Sequence, residues 1–95
     1  MGIQKTIQIG DIITSVSGRD KDRYYIVVKA EEKFVWICNG KLHKTDKPKK
    51  KNVKHIMLIK SANEAVTDRL RKGDLVTNKE IRKAISESLK QTETE

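Results

Sequence analysis

The feature that most constrains this chain is the rhythm between Gly10 and Ile59. Short runs of β-branched and aromatic residues are each cut off by a turn signal within a few positions. Gly10-Asp11 leads into Ile12–Val16, and Ser17-Gly18 ends that run. Tyr24–Ala30 and Phe34–Cys38 are almost continuously apolar and are separated by a short polar link containing Glu31 and Glu32. Such residues fit a pleated surface, and a nearly unbroken apolar run implies cover on more than one face. Asn39-Gly40 is a strong hairpin signal, because a type I′ turn needs positive φ at both central positions. It predicts a short fourth strand at Lys41–Lys44, and Val53–Ile59 reads as a fifth. Five short strands in so few residues predict a small closed or half-closed barrel over residues 9–60, since a flat sheet would leave apolar edges unprotected.

The pattern changes at Ser61. Ser61-x-x-Glu64 and Thr77-x-x-Glu80 each have the form of a capping box, in which a hydroxyl and a carboxylate satisfy free amides at a helix start. They predict helices over about 62–72 and 78–90, the first closed by Gly73 as a left-handed C′ residue. In the second, Ile81, Ala84, Ile85 and Leu89 share one face, and Lys79, Lys83 and Lys90 the opposite one. Residues 61–90 thus form a helical extension, and the polar residues 91–95 read as a disordered tail.

Charge is unevenly placed along the 95 residues. Residues 1–60 hold 14 Lys/Arg against 6 Asp/Glu, whereas residues 61–95 hold 7 of each, so the whole excess of +8 lies on the β-rich part. A localised basic field attracts polyanions, nucleic acid first. A small, thin-cored domain with 36% hydrophobic and 4% aromatic residues has little room for a buried two-lobed active site, which disfavours an enzyme. The lone Cys38 allows no intrachain disulfide and fits a reducing, cytoplasmic setting. Asp11 interrupts the N-terminal apolar run before it reaches signal-peptide length, and no stretch approaches the ~18 apolar residues of a membrane span.

Two loops hold most of the cations. Lys44, Lys47, Lys49, Lys50, Lys51 and Lys54 fall within eleven residues, stiffened by Pro48. Six ammonium groups in one loop repel one another, and a polyanion relieves that repulsion while releasing counterions. The bland alternative is a solvated charge run. In the first loop, Arg19, Lys21 and Arg23 alternate with Asp20 and Asp22. Arginine forks onto phosphates or stacks on bases; the alternative is weak surface pairing within the loop. Phe34 and Trp36 share one face of their strand, Val35 and Ile37 the other. Either the aromatic pair is core or one ring is a partly exposed platform for bases. Cys38, His43 and His55 match no zinc spacing and lack a fourth ligand, so neither a metal nor another cofactor is expected. His55, beside Lys54, suits either a phosphate contact or a place at the edge of the core. No nucleophile–base pair, glycine-rich phosphate loop or carboxylate pair stands out, so no catalytic residue is assigned.

Gly10–Arg23, followed by Tyr25-Ile26-Val27-Val28, resembles a KOW motif, and Asn39-Gly40-Lys41-Leu42 and Lys47–His55 extend the likeness. Together they resemble the short bacterial KOW-domain RNA-binding proteins, relatives of a large-subunit ribosomal protein family of archaea and eukaryotes. The likeness covers about residues 9–58 and, more weakly, Val76–Ala84. It implies an SH3-like five-stranded barrel with no enzymatic activity, bound to rRNA or another structured RNA in a ribosome-associated or translation-related role. The RNA-facing candidates are then Ser17, Gly18, Arg19, Lys21 and Arg23, with Lys41, Lys44, Lys47, Lys49, Lys50, Lys51, Lys54 and His55. The family usually has glycine where this chain has Asp22; aspartate tolerates positive φ, but its carboxylate repels a phosphate. The alternative function is a protein–protein interaction domain of a transcription or ribosome-assembly factor, using the barrel or the second helix. A helix-turn-helix on DNA is disfavoured by the neutrality of residues 61–95. No membrane and no small-molecule substrate are expected.

Overall fold

The computed structural model describes residues 7–16 and 23–93. Five strands, β1 (Asp11–Ser15), β2 (Tyr24–Ala30), β3 (Phe34–Cys38), β4 (Lys49–Asn52) and β5 (Ile56–Ser61), precede two helices, α1 (Glu64–Lys72) and α2 (Asn78–Glu93). The strands form one antiparallel sheet in the order β4-β3-β2-β1-β5. The protein is therefore mainly β with two C-terminal helices. The ladder is open, with β4 and β5 as its edges, so hydrogen bonding does not close the sheet into the expected barrel.

The sheet is nevertheless curled. Its two edge strands are joined by only a 3-10 turn, Val53–His55. Across a flat five-stranded sheet those edges would lie about 19 Å apart, whereas three 3-10 residues advance about 6 Å. One contact registers the curl: the Lys51 Nζ donates to Ser15 Oγ at 3.4 Å, from β4 to a strand that is not its neighbour. The Val16 amide, donating to the carbonyl of His55 at 3.0 Å, carries the β1–β5 ladder on into the turn.

Both faces of the sheet bury apolar side chains, which explains the nearly unbroken apolar runs of β2 and β3. On the concave side Ile13, Tyr25, Val27, Val35 and Ile37 form one cluster, joined by Val53, Ile56 and Leu58. On the convex side Ile12, Ile26 and Cys38 pack with Ala62, Val76, Ile81 and Ile85, joined by Val66, Leu70 and Leu89. The helices thus lie on the sheet. Ile81 is fully buried, and with Ala84 and Ile85 it forms the inward face that the 3.6-residue period predicts.

Several elements differ from expectation. Lys41–Lys44 is not a strand. Asn39 Oδ1 accepts from the amides of Lys41 and His43 at 3.0 and 3.1 Å, and the local turn this makes replaces the hairpin ladder. The fourth strand lies instead at Lys49–Asn52, inside the expected basic loop, where Lys50 pairs with Trp36 and Lys51 with Val35. Val53–His55 is a turn rather than the start of β5, capped by Asn52 Oδ1 on the Lys54 amide. The Ser61 capping box does not form either. β5 runs through Ser61, whose Oγ donates to Asp11 Oδ1 at 3.4 Å, so the helix begins two residues later with Asn63 Oδ1 accepting from the Val66 amide. The second box forms as expected: the Glu80 amide donates to Thr77 Oγ1, and the Thr77 amide to Glu80 Oε2. Gly73 closes α1 at φ 81°. α2 continues to Glu93, past its expected end at Lys90.

Candidate nucleic-acid interface

The lysine-rich segment is an edge strand, so its side chains alternate rather than fan out on one side. Lys50 lies on the convex side, its ammonium 4.3 Å from the centroid of Phe34 and 5.6 Å from that of Trp36. Lys29, opposite Trp36 on β2, lies 4.6 Å over the same indole. Phe34 and Trp36 are half-buried there, while Val35 and Ile37 fill the concave core. The aromatic pair thus belongs to neither buried cluster, and lysine ammonium groups lie over its rings. Lys49 and Lys51 alternate to the other side of β4, where Lys51 meets Ser15. The three consecutive lysines are therefore split between two surfaces.

Of the remaining candidates, Arg23, Lys41, Lys44, Lys47, Lys54 and His55 are exposed. Lys54 and His55 sit in the turn that joins the sheet edges, Lys44 and Lys47 in the connection from β3 to β4, where the Lys47 amide bonds the Lys44 carbonyl at 3.0 Å. Ser17, Gly18, Arg19 and Lys21 lie outside the described residues.

The β3–β4 connection is pinned to the start of α2. The Thr45 amide donates to Asn78 Oδ1 at 2.9 Å, and Arg82 Nη1 donates to the Gly40 carbonyl at 2.7 Å. Gly40 adopts φ 79°, and a Cβ built on it would stand 2.5 Å from the Asn78 carbonyl oxygen. Only glycine allows both the left-handed conformation and that approach. This docking creates an open groove of about 880 Å³ between α2 and the sheet, lined among others by Arg23, Tyr24, Lys41, Leu42, Arg82 and Leu89. Tyr24, Leu42 and Arg82 were not candidates on sequence grounds; they come from three distant segments, and no local pattern links them.

The other reactive groups are quiet. Burial pushes the Cys38 thiol up to about 12, so it stays protonated and a poor nucleophile at neutral pH. Among the described residues no three His, Cys, Asp or Glu side chains gather as a metal site requires, and no helix is long and apolar enough to cross a membrane. No protein-family model matches the chain, and no curated protein is significantly similar to it.

Proposed function

We propose that this protein is a non-enzymatic RNA-binding module of the cytoplasm that docks on rRNA or another structured RNA, in a ribosome-associated or translation-related role. On this reading the curled sheet is an SH3-like barrel of the KOW kind, left open between its edge strands. The observation that carries the reading is the convex end of β3 and β4, where Lys29 and Lys50 hold their charges over the half-buried rings of Phe34 and Trp36. Ammonium groups beside aromatic faces are what a folded RNA offers partners for: phosphates for the cations and unpaired bases for the rings. Lysines on an edge strand also discourage sheet-to-sheet aggregation, but that task does not call for aromatic rings beneath them. Lys44, Lys47 and Lys54 add exposed cations in the segments on either side of β4. The protein-partner alternative loses its helical route, because the apolar face of α2 is already covered by the sheet.

The test is the salt dependence of binding to a structured rRNA fragment. If about four lysines displace counterions, log K falls with log salt at a slope of about −3 to −4. A slope shallower than about −1 overturns the electrostatic docking. Crosslinking in cells followed by sequencing of the attached RNA then identifies the target. Recovery of no RNA would move the reading to the protein partner.

A further inference from the structure

We propose that the groove between α2 and the 39–43 turn holds one unpaired, splayed-out base of the bound RNA together with its adjoining phosphate. This rests on the RNA-binding reading and adds a second, chemically different subsite to it. Two of the exposed large apolar side chains among the described residues meet in this groove, Tyr24 at 39% and Leu42 at 61% exposure, backed by Ile85 and Leu89. Nothing in the fold is stabilised by leaving Leu42 so open beside a phenol ring. A flat aromatic ligand sliding between them removes that surface from water, and stacking on a tyrosine tolerates any base.

The rim of the groove is cationic. Arg23, Lys41 and Arg82 line it, and among the described residues no Asp or Glu does. Neither Arg23 nor Lys41 forms an ion pair with a carboxylate among the described residues. Arg82 is held across the wall by its bond to the Gly40 carbonyl. Asn39, also in the lining, has its side-chain oxygen engaged by two amides, so what it offers a ligand is its NH2 donors, suited to a base acceptor. The walls are preorganised. The Arg23 carbonyl accepts from Thr14 Oγ1 at 2.7 Å, and the turn is fixed through Gly40 and Thr45 to α2. An apolar slot for a ring, positive groups for one phosphate and a donor amide match a nucleotide. The slot opens on the same convex face as Phe34 and Trp36, with the Ile26–Cys38 pair between them.

The experiment compares a single-stranded RNA oligonucleotide with a blunt RNA duplex of equal length, using the full chain and the double variant Tyr24→Ser/Leu42→Ser. Both positions are exposed, and a thermal melt checks that the variant is folded. The double variant is expected to bind the single strand at least about tenfold more weakly and the duplex within about twofold of wild type. A 2-aminopurine placed in the single strand should show a fluorescence change with wild type that the variant lacks. Lys47→Gln/Lys50→Gln, in contrast, should weaken both RNAs. Unchanged single-strand binding by the Tyr24/Leu42 variant, with wild type binding both RNAs, overturns the groove and leaves the RNA reading standing. Binding of neither RNA by wild type removes both. An acidic amphipathic peptide that binds wild type but not the variant, with RNA binding intact, would assign the groove to a protein instead.

Discussion

The convex face of β3 is covered in two ways within five residues. At one end Cys38 is sealed under α2, packed with Ile12, Ile26 and Ile81, and its thiol is held protonated by burial. At the other, Phe34 and Trp36 are half-buried, with the ammonium groups of Lys29 and Lys50 over their rings. Helix cover removes apolar surface permanently and is the greater source of stability. Lysine cover is provisional, because a long aliphatic stem can swing away and its charge can turn to another partner. One strand thus carries structural burial at its C-terminal end and an exchangeable surface at its N-terminal end.

The largest test of this contrast is a truncation at each end. Ile81→Ala should cost about 2–5 kcal/mol in chemical denaturation, as expected of a fully buried isoleucine. Trp36→Ala should cost less than half of that and show its main effect on RNA affinity. Equal stability losses would mean that the indole is as structural as the helix contact, and the contrast would fail. Next in size, Gly40→Ala should destabilise by about 1–3 kcal/mol, because alanine must either strain at positive φ or push the Asn78 carbonyl away. The same change should disturb the groove, read as weaker single-strand binding. A smaller effect is expected for Lys50→Gln: a stability change under about 1 kcal/mol, with the salt slope of RNA binding shallower by about one.

The smallest expected effect is a pH dependence in the α1–α2 connection. The Arg69 guanidinium, 2.7 Å from Glu80 Oε1, holds the Glu80 carboxyl below its usual range, with the Thr77 amide as the second cause. A depressed carboxyl stabilises the fold above its unfolded pKa, and that contribution disappears as pH falls through the lower folded value. Wild type should therefore lose this increment below the ordinary glutamate value of about 4.3. Glu80→Gln should lack the increment at neutral pH and show a flatter acid limb in melts followed against pH.

How much of this was legible in the sequence depended on whether the deciding contacts were local. β2 and β3 fall where their apolar runs place them, because burial on both faces leaves a continuous signal. The Thr77 box and the Gly73 terminus are equally local and form as read. β4 was hidden because three lysines carry little strand preference of their own; pairing with Phe34–Ile37 makes them a strand. Asn39-Gly40 points to a hairpin, but the Asn39 side chain binds its own turn and the next segment docks on α2. Ser61 lost its cap to a sheet register set by a partner fifty residues earlier. The basic character of the surface could be read from charge alone. The split of Lys49–Lys51 between two sides, and the groove under Arg82, required the pairing and the docking of α2.

The adjacency of Ile12 and Ile13 in opposite cores has one more consequence. A one-residue slide of β1 would refill one isoleucine site with the other isoleucine but press Asp11 or Thr14 into the second, so the two apolar clusters oppose it. The strand's ends add a second lock: Asp11, fastened to the Gln8 amide and the Ser61 hydroxyl, and Ser15, tethered to Lys51. In this protein greasy filling and polar fastenings together tell the first strand where to stop.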